Sequence, residues 1–434
     1  MVLAVLEKIF KHISLVFIDK VIRLLVPLVS SIVISRLMGV DAFGYYSYIN
    51  TLYSIFLGIS LFGLDSILVK VLIEESREKS AIAYNAFILK LVWSFGVAIT
   101  FLLTTIYLDV YSIGVVFLAI SIPVLAWNIP EYVFQSELRF REILLTSIAV
   151  YPICLIFKCI IIYKTGDLNA KFFMDLLESV FFVVILHYFS GRTVVNIGEV
   201  DFNKIKKLAS SSFPLMVNTL IVILYFKVDQ LILGKMLGFN ALGGYSAAVQ
   251  ISSILGTFPS LIMSAIFPYI IKWYVVENDL VKIKCLYRAF IYFFVFLVTP
   301  LFFLSDLIFS MLYGHQFSSA ALIFKIHVFG FLFVYIGAIS GSIIIAKDLI
   351  WFSTVRSIAS LLISIVLNFS LIPQFGIIGA AISFVISQFF ANYIFYLLTS
   401  ELREIFLLVN KAVLAIPMDM YNDFKKVYSL LKRR

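Results

Sequence analysis

The chain has 434 residues, of which 62% are hydrophobic and only 14% are charged. A soluble domain needs more charged surface than this to cover its core, so the composition excludes a soluble globular protein and indicates a chain that lies mostly within a membrane. The net charge of +9 does not indicate nucleic-acid binding, because the basic residues gather in short loops between apolar segments, where membrane proteins carry them.

The apolar segments follow one another almost without a pause. Each has about the twenty residues that a helix needs to cross the hydrocarbon of a bilayer. Their predicted limits are 12–35, 45–72, 81–107, 113–136, 143–163, 172–190, 213–233, 244–271, 287–309, 320–345, 353–371 and 377–399. The sequence therefore predicts an all-α polytopic membrane protein with about twelve transmembrane helices.

One short stretch of the first half recurs in the second. LMGVDAFGYYSY at 37–48 is matched by MLGFNALGGYSA at 236–247, and each copy lies between two long apolar segments. The matched residues are Gly39 with Gly238, Ala42 with Ala241, Gly44 with Gly243, Tyr46 with Tyr245, and Ser47 with Ser246. A match offset by about half the chain predicts two related halves, and hence two pseudo-symmetric six-helix bundles.

The longest internal polar stretch, 191–212, divides the predicted halves. We expect an N-terminal bundle at 1–190, a cytoplasmic linker at 191–212, a C-terminal bundle at 213–400 and a basic cytoplasmic tail at 401–434. The apolar part of the tail is short and interrupted, so we expect it to lie on the anionic inner leaflet rather than to span the membrane. Most loop Lys and Arg residues lie on the side of the two termini, which predicts that both termini are cytoplasmic.

The shortness of the loops limits the chemistry open to this chain. No segment outside the apolar runs is long enough to bury a core of its own, which excludes a soluble catalytic or nucleotide-binding domain. The sequence contains no GxxxxGK[ST] phosphate loop, no HExxH motif and no Cys/His cluster. We therefore predict that the protein is not an enzyme and uses no cofactor or metal.

Some basic residues lie within the predicted spans, and their depth separates them into two groups. A base near the centre of a bilayer costs several kcal/mol unless it faces protein or water, so deep bases mark a polar cavity. The four deep bases are Lys20, Arg23, Lys90 and Lys227. Bases near helix ends are expected to extend to the interface instead. These are Lys70, Lys158 and Lys325.

The acids near these bases in sequence allow different interpretations of what each base contacts. Asp19 and Arg23 are four residues apart on one helical face, so they either neutralise each other as a structural pair or contribute to the cavity. Lys227 and Asp229 are two residues apart and point in different directions, so each needs a partner on another helix. Lys90 has no acid near it in sequence, which makes it the best candidate for binding an anionic ligand.

Several motifs, in the same order along the chain, resemble those of a known family. They are SRLMGVDAFGYYSY at 35–48, LFGLDSILVK at 61–70, QSELRFRE at 135–142, SSSFPLMVN at 210–218, LYFKVDQLILGKMLG at 224–238 and PQFGIIGAAIS at 373–383. Together they resemble the Wzx-type O-antigen repeat-unit flippases of the MOP exporter superfamily. The resemblance runs from about residue 8 to residue 401.

This resemblance implies a MATE-like fold of two six-helix bundles around a central cavity. It also implies that an undecaprenyl-pyrophosphate-linked oligosaccharide is moved from the inner to the outer leaflet of the bacterial cytoplasmic (inner) membrane, with the pyrophosphate held by cationic side chains. The candidate substrate-binding residues are Lys20, Arg23, Lys90 and Lys227. Coupling to an ion gradient occurs in the superfamily, and the candidate ion-coupling residues are Asp19, Glu178 and Asp229.

Besides the lipid-linked glycan, the expected partners are membrane lipids, a polysaccharide polymerase and a chain-length regulator. Three other functions stay open from the sequence: a multidrug or cation antiporter of the same superfamily, a flippase for the peptidoglycan precursor, and a membrane-embedded polysaccharide polymerase or ligase. An antiporter for cationic drugs should show unpaired deep acids rather than deep bases. A polymerase should have a sizeable extracellular loop, and none is present.

Overall fold

The computed structural model describes residues 2–191 and 199–414, and this part of the chain is helical almost throughout. The first seven helices are α1 (Val2–Ser60), α2 (Leu64–Glu74), α3 (Lys79–Tyr107), α4 (Ile113–Val124), α5 (Ile129–Ser136), α6 (Phe140–Thr165) and α7 (Leu168–Ser190). The remaining helices are α8 (Phe202–Ile270), α9 (Leu280–Phe303), α10 (Ser305–Leu312), α11 (Ser318–Ala346), α12 (Ile350–Phe375), α13 (Ile377–Phe389), α14 (Phe395–Leu398) and α15 (Arg403–Leu414).

Ten helical stretches among the described residues are long and apolar enough to cross a membrane. Two of them, in α1 and α8, are each broken by one glycine with a positive φ: Gly39 at 83° and Gly238 at 83°. Each part on either side of these breaks exceeds the roughly 20 residues that a crossing requires. The ten stretches therefore contain twelve membrane-crossing segments, which confirms the predicted all-α polytopic fold.

Contacts between residues divide the chain into two compact units. Unit 1 consists of Met1–Gly234 and Gly238–Gly243, and unit 2 consists of Lys235–Leu237 with the chain from Gly244 onward. Contacts alone therefore group the first part of α8 with unit 1, whereas the boundary at 191–212 was predicted from the longest internal polar stretch. The bundle limits stay a prediction, and residues 192–198 of the predicted linker lie outside the described residues.

In unit 1, α1 packs against α3, α4 and α6, and α7 packs against α4 and α6. Two predicted spans are interrupted here. The span predicted at 45–72 ends at Ser60, because Gly63 takes a left-handed conformation with φ 65° before α2 begins. The span predicted at 113–136 is broken by a 3-10 turn at Leu125–Asn128, next to Pro123 and ahead of Pro130.

In unit 2, α11 is the central helix and packs against α9, α12 and α13.

The described part of the predicted tail forms α15, which packs on α9 and buries Ile405, Leu408 and other residues of one face. Its first turn is held by Glu404, which accepts hydrogen bonds from Lys347 and the hydroxyl of Tyr274, both at 2.7 Å. Burial by itself raises the pKa of Glu404, but these hydrogen bonds outweigh burial and hold that pKa below its ordinary value. The rest of the predicted tail, 415–434, lies outside the described residues.

The two copies of the repeated stretch pack against each other within unit 1. A Cβ atom on Gly44 would lie 1.8 Å from the carbonyl oxygen of Phe239, the residue after Gly238. In the matching contact, a Cβ atom on Gly243 would lie 2.1 Å from the carbonyl oxygen of Val40, the residue after Gly39. The contact therefore repeats the internal symmetry of the sequence, and each copy supplies one glycine that brings two backbones together.

We predict that Gly44→Ala and Gly243→Ala each destabilise the protein, because the added methyl group must displace a backbone carbonyl rather than a flexible side chain. Overpacking of this kind costs about 1–3 kcal/mol or more. The measurement is the thermal unfolding midpoint of the purified protein in detergent. Gly96→Ala is the matched control, since Gly96 also lies within a helix but a Cβ atom there meets nothing within 4 Å. The control should be neutral or slightly stabilising, and equal effects at Gly96 and Gly44 would contradict this interpretation.

Candidate functional site

A five-residue stretch of unit 1, from Asn128 to Tyr132, contacts two of the four predicted deep bases. Asn128 ends the 3-10 turn after α4, and Pro130 lies in the first turn of α5. The proline has no N–H to donate, which suits the first turn of a helix. The break therefore ends one helix and begins another at this level, and it presents Asn128, Glu131 and Tyr132 to neighbouring helices.

Lys90 of α3 is held by neutral groups of this stretch. Its Nζ donates to Oδ1 of Asn128 at 2.5 Å and lies 3.5 Å from the hydroxyl of Tyr132. The same Nζ lies 5.3 Å from the centre of the Tyr132 ring. Lys90 is 1% exposed, and among residues 2–191 and 199–414 it forms no salt bridge within 4.0 Å. Its charge is therefore solvated by dipoles and not neutralised by a carboxylate.

Arg23 of α1, by contrast, lies between two carboxylates. Its Nε lies 3.0 Å from Oδ2 of Asp19, and its Nη2 lies 2.9 Å from Oε1 of Glu131 on α5. Ser147 of α6 donates to Oδ1 of Asp19 at 2.5 Å, and the guanidinium carbon lies 4.9 Å from the centre of the Phe182 ring on α7. The pairing expected from the spacing of Asp19 and Arg23 is present, and one ion-paired cluster joins four helices.

The other two predicted bases lie elsewhere in unit 1. Lys20 is exposed on α1. Lys227 is partly buried on the first part of α8, and the described residues contain no salt bridge to it within 4.0 Å. Asp229 is buried, and its carboxylate accepts from the backbone N–H of Gln230 at 2.8 Å. Gln230 in turn accepts from the hydroxyl of Thr51 at 2.7 Å, which links α8 to the second part of α1.

A second charged cluster of unit 1 lies between α6 and α7. Asp175 receives Lys158 at 2.7 Å on one oxygen and Lys171 at 2.6 Å on the other, and Lys158 also pairs with Glu178 at 2.9 Å. The two lysine side chains are only 5% and 4% exposed. The Nζ of Lys171 also lies 4.2 Å from the centre of the Tyr46 ring. Two bases and two acids thus form a closed, neutral network.

This network corrects one sequence prediction. Lys158 was expected to extend to the interface because it lies near the end of α6, and it is buried instead. Lys158 and Asp175 are similar distances from the turn at Gly166 that joins α6 to α7, so the two helices bring them together. Lys70 fits the expectation, since its side chain is 67% exposed and pairs loosely with Glu74 at 3.8 Å.

Sequence reasoning did not identify Glu131 as a partner of Arg23 or Asn128 as a ligand of Lys90. Glu131 is 108 residues from Arg23, and Asn128 is 38 residues from Lys90. The signal available was the run of prolines around an acid inside an apolar segment, at Pro123, Pro130 and Glu131. Within the described residues, no group of three or more His, Cys, Asp or Glu side chains is arranged to hold a metal ion.

Comparison with known proteins identifies the family. The family model described as "Polysaccharide biosynthesis protein" matches residues 9–273, which is more than half of the chain. This chain belongs to that family. It is 25% identical over 399 residues to the capsular polysaccharide biosynthesis protein CapF of Staphylococcus aureus, covering 89% of this chain and 98% of CapF. It is also 25% identical over 209 residues to Agl15, a probable low-salt glycan biosynthesis flippase of Haloferax volcanii, covering 47% and 44% of the two chains.

Solved structures give the fold of this family member. The lipid II flippase MurJ, in an inward closed conformation, matches with a TM-score of 0.71 over 95% of this chain and 93% of MurJ, at 13% identity. An inward-facing MATE multidrug transporter of the MOP superfamily matches with a TM-score of 0.70 over 91% and 95%, also at 13% identity. The predicted MATE-like fold is confirmed, and the protein is a multi-pass membrane protein. Its matches place it with transporters rather than enzymes.

We predict that Asp175→Asn strongly destabilises the protein, because it leaves Lys158 and Lys171 buried without their shared carboxylate. Removing one partner from a buried ion pair costs about 3–5 kcal/mol. The matched control is Glu74→Gln, which removes the partner of exposed Lys70 and should cost about 0–1 kcal/mol. The measurement is the thermal unfolding midpoint of each purified variant. Equal midpoints would show that the α6–α7 network contributes no more to stability than a surface ion pair does.

Proposed function

We propose that this protein is a flippase that moves an undecaprenyl-pyrophosphate-linked oligosaccharide repeat unit from the inner to the outer leaflet of the bacterial cytoplasmic membrane, with both of its own termini in the cytoplasm. Its membership of the polysaccharide biosynthesis protein family supports this proposal. So does its similarity to Agl15, a probable low-salt glycan biosynthesis flippase, and to the lipid II flippase MurJ.

The observation that carries the proposal is that the hydrogen-bond partners of Lys90 are neutral groups. A pyrophosphate must leave water to cross the membrane, and it needs a positive charge that is not already neutralised. Arg23 is held between Asp19 and Glu131, whereas the ligands of Lys90 are an amide and a phenol. A phosphate oxygen can replace either neutral ligand without separating an ion pair, so Lys90 is the strongest candidate for the anionic group.

The other predicted residues take supporting roles in this proposal. Lys227, without a salt bridge in the described residues, is a second candidate phosphate ligand, and Lys20 is a third on the exposed face of α1. Arg23 becomes available to bind a phosphate only if its ion pair with Asp19 or Glu131 breaks, for example when another cation takes its place. The lipid tail stays in the bilayer, and the flipping follows alternation of the transporter between inward-open and outward-open states.

The charges of unit 1 argue against an antiporter for cationic drugs. Such a ligand needs deep carboxylates that are free to bind it, and the acids of the two clusters each have a basic partner within 3.0 Å. The likeness to a MATE transporter at 13% identity concerns the fold. A polymerase or ligase is disfavoured because the described connections between helices are short, which leaves no large loop for an acceptor.

We predict that Lys90→Ala lowers surface polysaccharide by at least about tenfold while the protein level stays normal. Loss of a charge-assisted hydrogen bond to phosphate costs about 1.5–3 kcal/mol. Complete lipid-linked repeat units should then accumulate on the inner leaflet of the cytoplasmic membrane, which is measured by extracting them and testing their accessibility from each side. Lys70→Ala is the matched control, since Lys70 is exposed and paired with Glu74.

Normal surface polysaccharide in the Lys90→Ala strain would remove Lys90 from the proposed site. A deletion strain with unchanged glycan but increased sensitivity to cationic drugs would favour the antiporter. Repeat units that reach the outer leaflet of a deletion strain without being joined would favour a polymerase. Loss of viability in place of loss of a surface glycan would indicate the peptidoglycan precursor as substrate.

We also expect an ion gradient to drive flipping through one of the candidate acids Asp19, Glu178 and Asp229. In proteoliposomes with a fluorescent lipid-linked glycan, the wild-type rate should rise when an inward ion gradient is imposed. Asp19→Asn should keep flipping down a substrate gradient but lose this acceleration, because the substitution removes a carboxylate that pairs with Arg23. Acceleration that persists in Asp19→Asn, Glu178→Gln and Asp229→Asn would show that these acids do not couple ions to transport.

A further inference from the structure

A groove on unit 2 has no part in the proposed function. It lies between α9, α11 and α13 and has a volume of about 470 Å³, within the range of small-molecule sites. Its walls include Phe302 of α9, Leu322 and Phe329 of α11, and Ile386 of α13. The only lining residue that carries a charge is Lys325, on α11. In a bilayer, a groove with such walls is filled by a hydrocarbon chain.

The ammonium of Lys325 does not point into the apolar groove. Its Nζ pairs with Oδ2 of Asp306 at 2.7 Å, and the exposed fractions of the two side chains are 28% and 73%. Asp306 lies in the first turn of α10, just after α9 ends at Phe303. Lys325 therefore lines the groove with its aliphatic stem and carries its charge to the rim.

The ion pair marks the depth at which the groove opens. Asp306 follows the end of one spanning helix, and Lys325 lies seven residues after Ser318, where α11 begins. Both positions are near the same helix ends, at the level where a bilayer changes from headgroups to hydrocarbon. Leu322 and Phe329 both line the groove and are about 10 Å apart along α11, and Phe329 lies about 6 Å deeper than Lys325, at about 1.5 Å per residue. The groove thus has a charged rim and an apolar floor, as a site for one lipid requires.

The rim carries one positive and one negative charge, Lys325 and Asp306. This combination favours some lipid headgroups over others. A headgroup with a phosphate and a primary ammonium can place the phosphate on Lys325 and the ammonium on Asp306, so that each protein charge exchanges one partner for another. An anionic headgroup without an ammonium would bring its phosphate close to the carboxylate of Asp306. A choline headgroup has no N–H to donate to that carboxylate.

We propose that this groove is a site for one phosphatidylethanolamine molecule, with an acyl chain between α9, α11 and α13, the phosphate on Lys325 and the ammonium on Asp306. This inference does not rest on the proposed flippase function, because the groove and its ion pair belong to unit 2 and use none of the residues assigned to the glycan.

The test is native mass spectrometry of the purified full-length protein with equal amounts of phosphatidylethanolamine, phosphatidylglycerol and phosphatidylcholine. The wild type should retain one phosphatidylethanolamine about tenfold more tightly than either other lipid. Asp306→Asn should reverse this order in favour of phosphatidylglycerol, since Lys325 then faces an anion without a competing carboxylate. Lys325→Gln should weaken retention of phosphatidylethanolamine and phosphatidylglycerol alike, because the phosphate of either lipid then has no cationic partner at the rim.

Three further variants keep the test specific to this groove. Lys70→Gln removes an exposed lysine paired with Glu74 in unit 1, and it should leave the order of lipids unchanged. Ile386→Trp should fill the groove and abolish retention, whereas Leu362→Trp, on the exposed face of α12, should not.

Several outcomes would overturn the proposal. Equal retention of the three lipids by the wild type would do so, as would an unchanged order in Asp306→Asn or retention that survives Ile386→Trp. In a second run with undecaprenyl phosphate added in equal amount, preferred retention of that lipid would overturn the proposal and assign the groove to the lipid carrier. This test does not measure surface polysaccharide, so its result neither supports nor contradicts the flippase proposal.

Discussion

A charge within hydrocarbon needs a partner, and the interior of unit 1 is arranged around this constraint. The low dielectric makes an isolated ion very unfavourable, so a buried base must meet a carboxylate or a set of oriented dipoles. Both solutions occur on one short stretch, where Glu131 pairs with Arg23 and Asn128 solvates Lys90. Asn128 and Tyr132 are four residues apart across the junction of the 3-10 turn and α5, and both contact Lys90. Irregular backbone at membrane depth is tolerated where it is buried in protein.

The two solutions have different consequences for a transported anion. In the α6–α7 network, Lys158, Lys171, Asp175 and Glu178 neutralise one another, and any ligand must first break an ion pair. The hydrogen-bond partners of Lys90 are an amide and a phenol, so an anion can replace either of them without separating an ion pair. The network is thus suited to holding helices together, and Lys90 is suited to binding an anion. A count of bases and acids does not distinguish these roles, because Lys90 and Lys158 both lie inside predicted spans.

The glycine contact shows how the repeat and the packing are related. Gly44 and Gly243 occupy equivalent positions in the two copies, and each lies against the backbone just after the other copy's glycine break. Because a contact between two backbones depends on having no side chain at one position, it restricts residue type more than apolar packing does. Most of the remaining fold depends on hydropathy rather than on residue identity. The TM-scores near 0.7 at 13% identity are in keeping with this.

The sequence by itself determined the features that depend on local pattern. Apolar runs of about twenty residues predicted the helices and the membrane setting, and the repeated stretch around Gly39 and Gly238 predicted two related halves. The four-residue spacing of Asp19 and Arg23 allowed the ion pair that the structure shows. Each of these depends on residues within one helix or on a repeated motif.

Only the tertiary structure decided which charges are neutralised. Lys158 and Glu178 are 20 residues apart, and Arg23 and Glu131 are 108 residues apart, so their contacts depend on how separate helices pack. Depth along a helix, which the sequence does give, did not predict that Lys158 is buried, because the face that a side chain occupies is set by neighbouring helices. The same holds for Lys325 and Asp306, which lie on different helices and meet at the rim of an apolar groove. Electrostatic energy in a membrane depends on distances of a few ångströms, and these are fixed only when the helices pack.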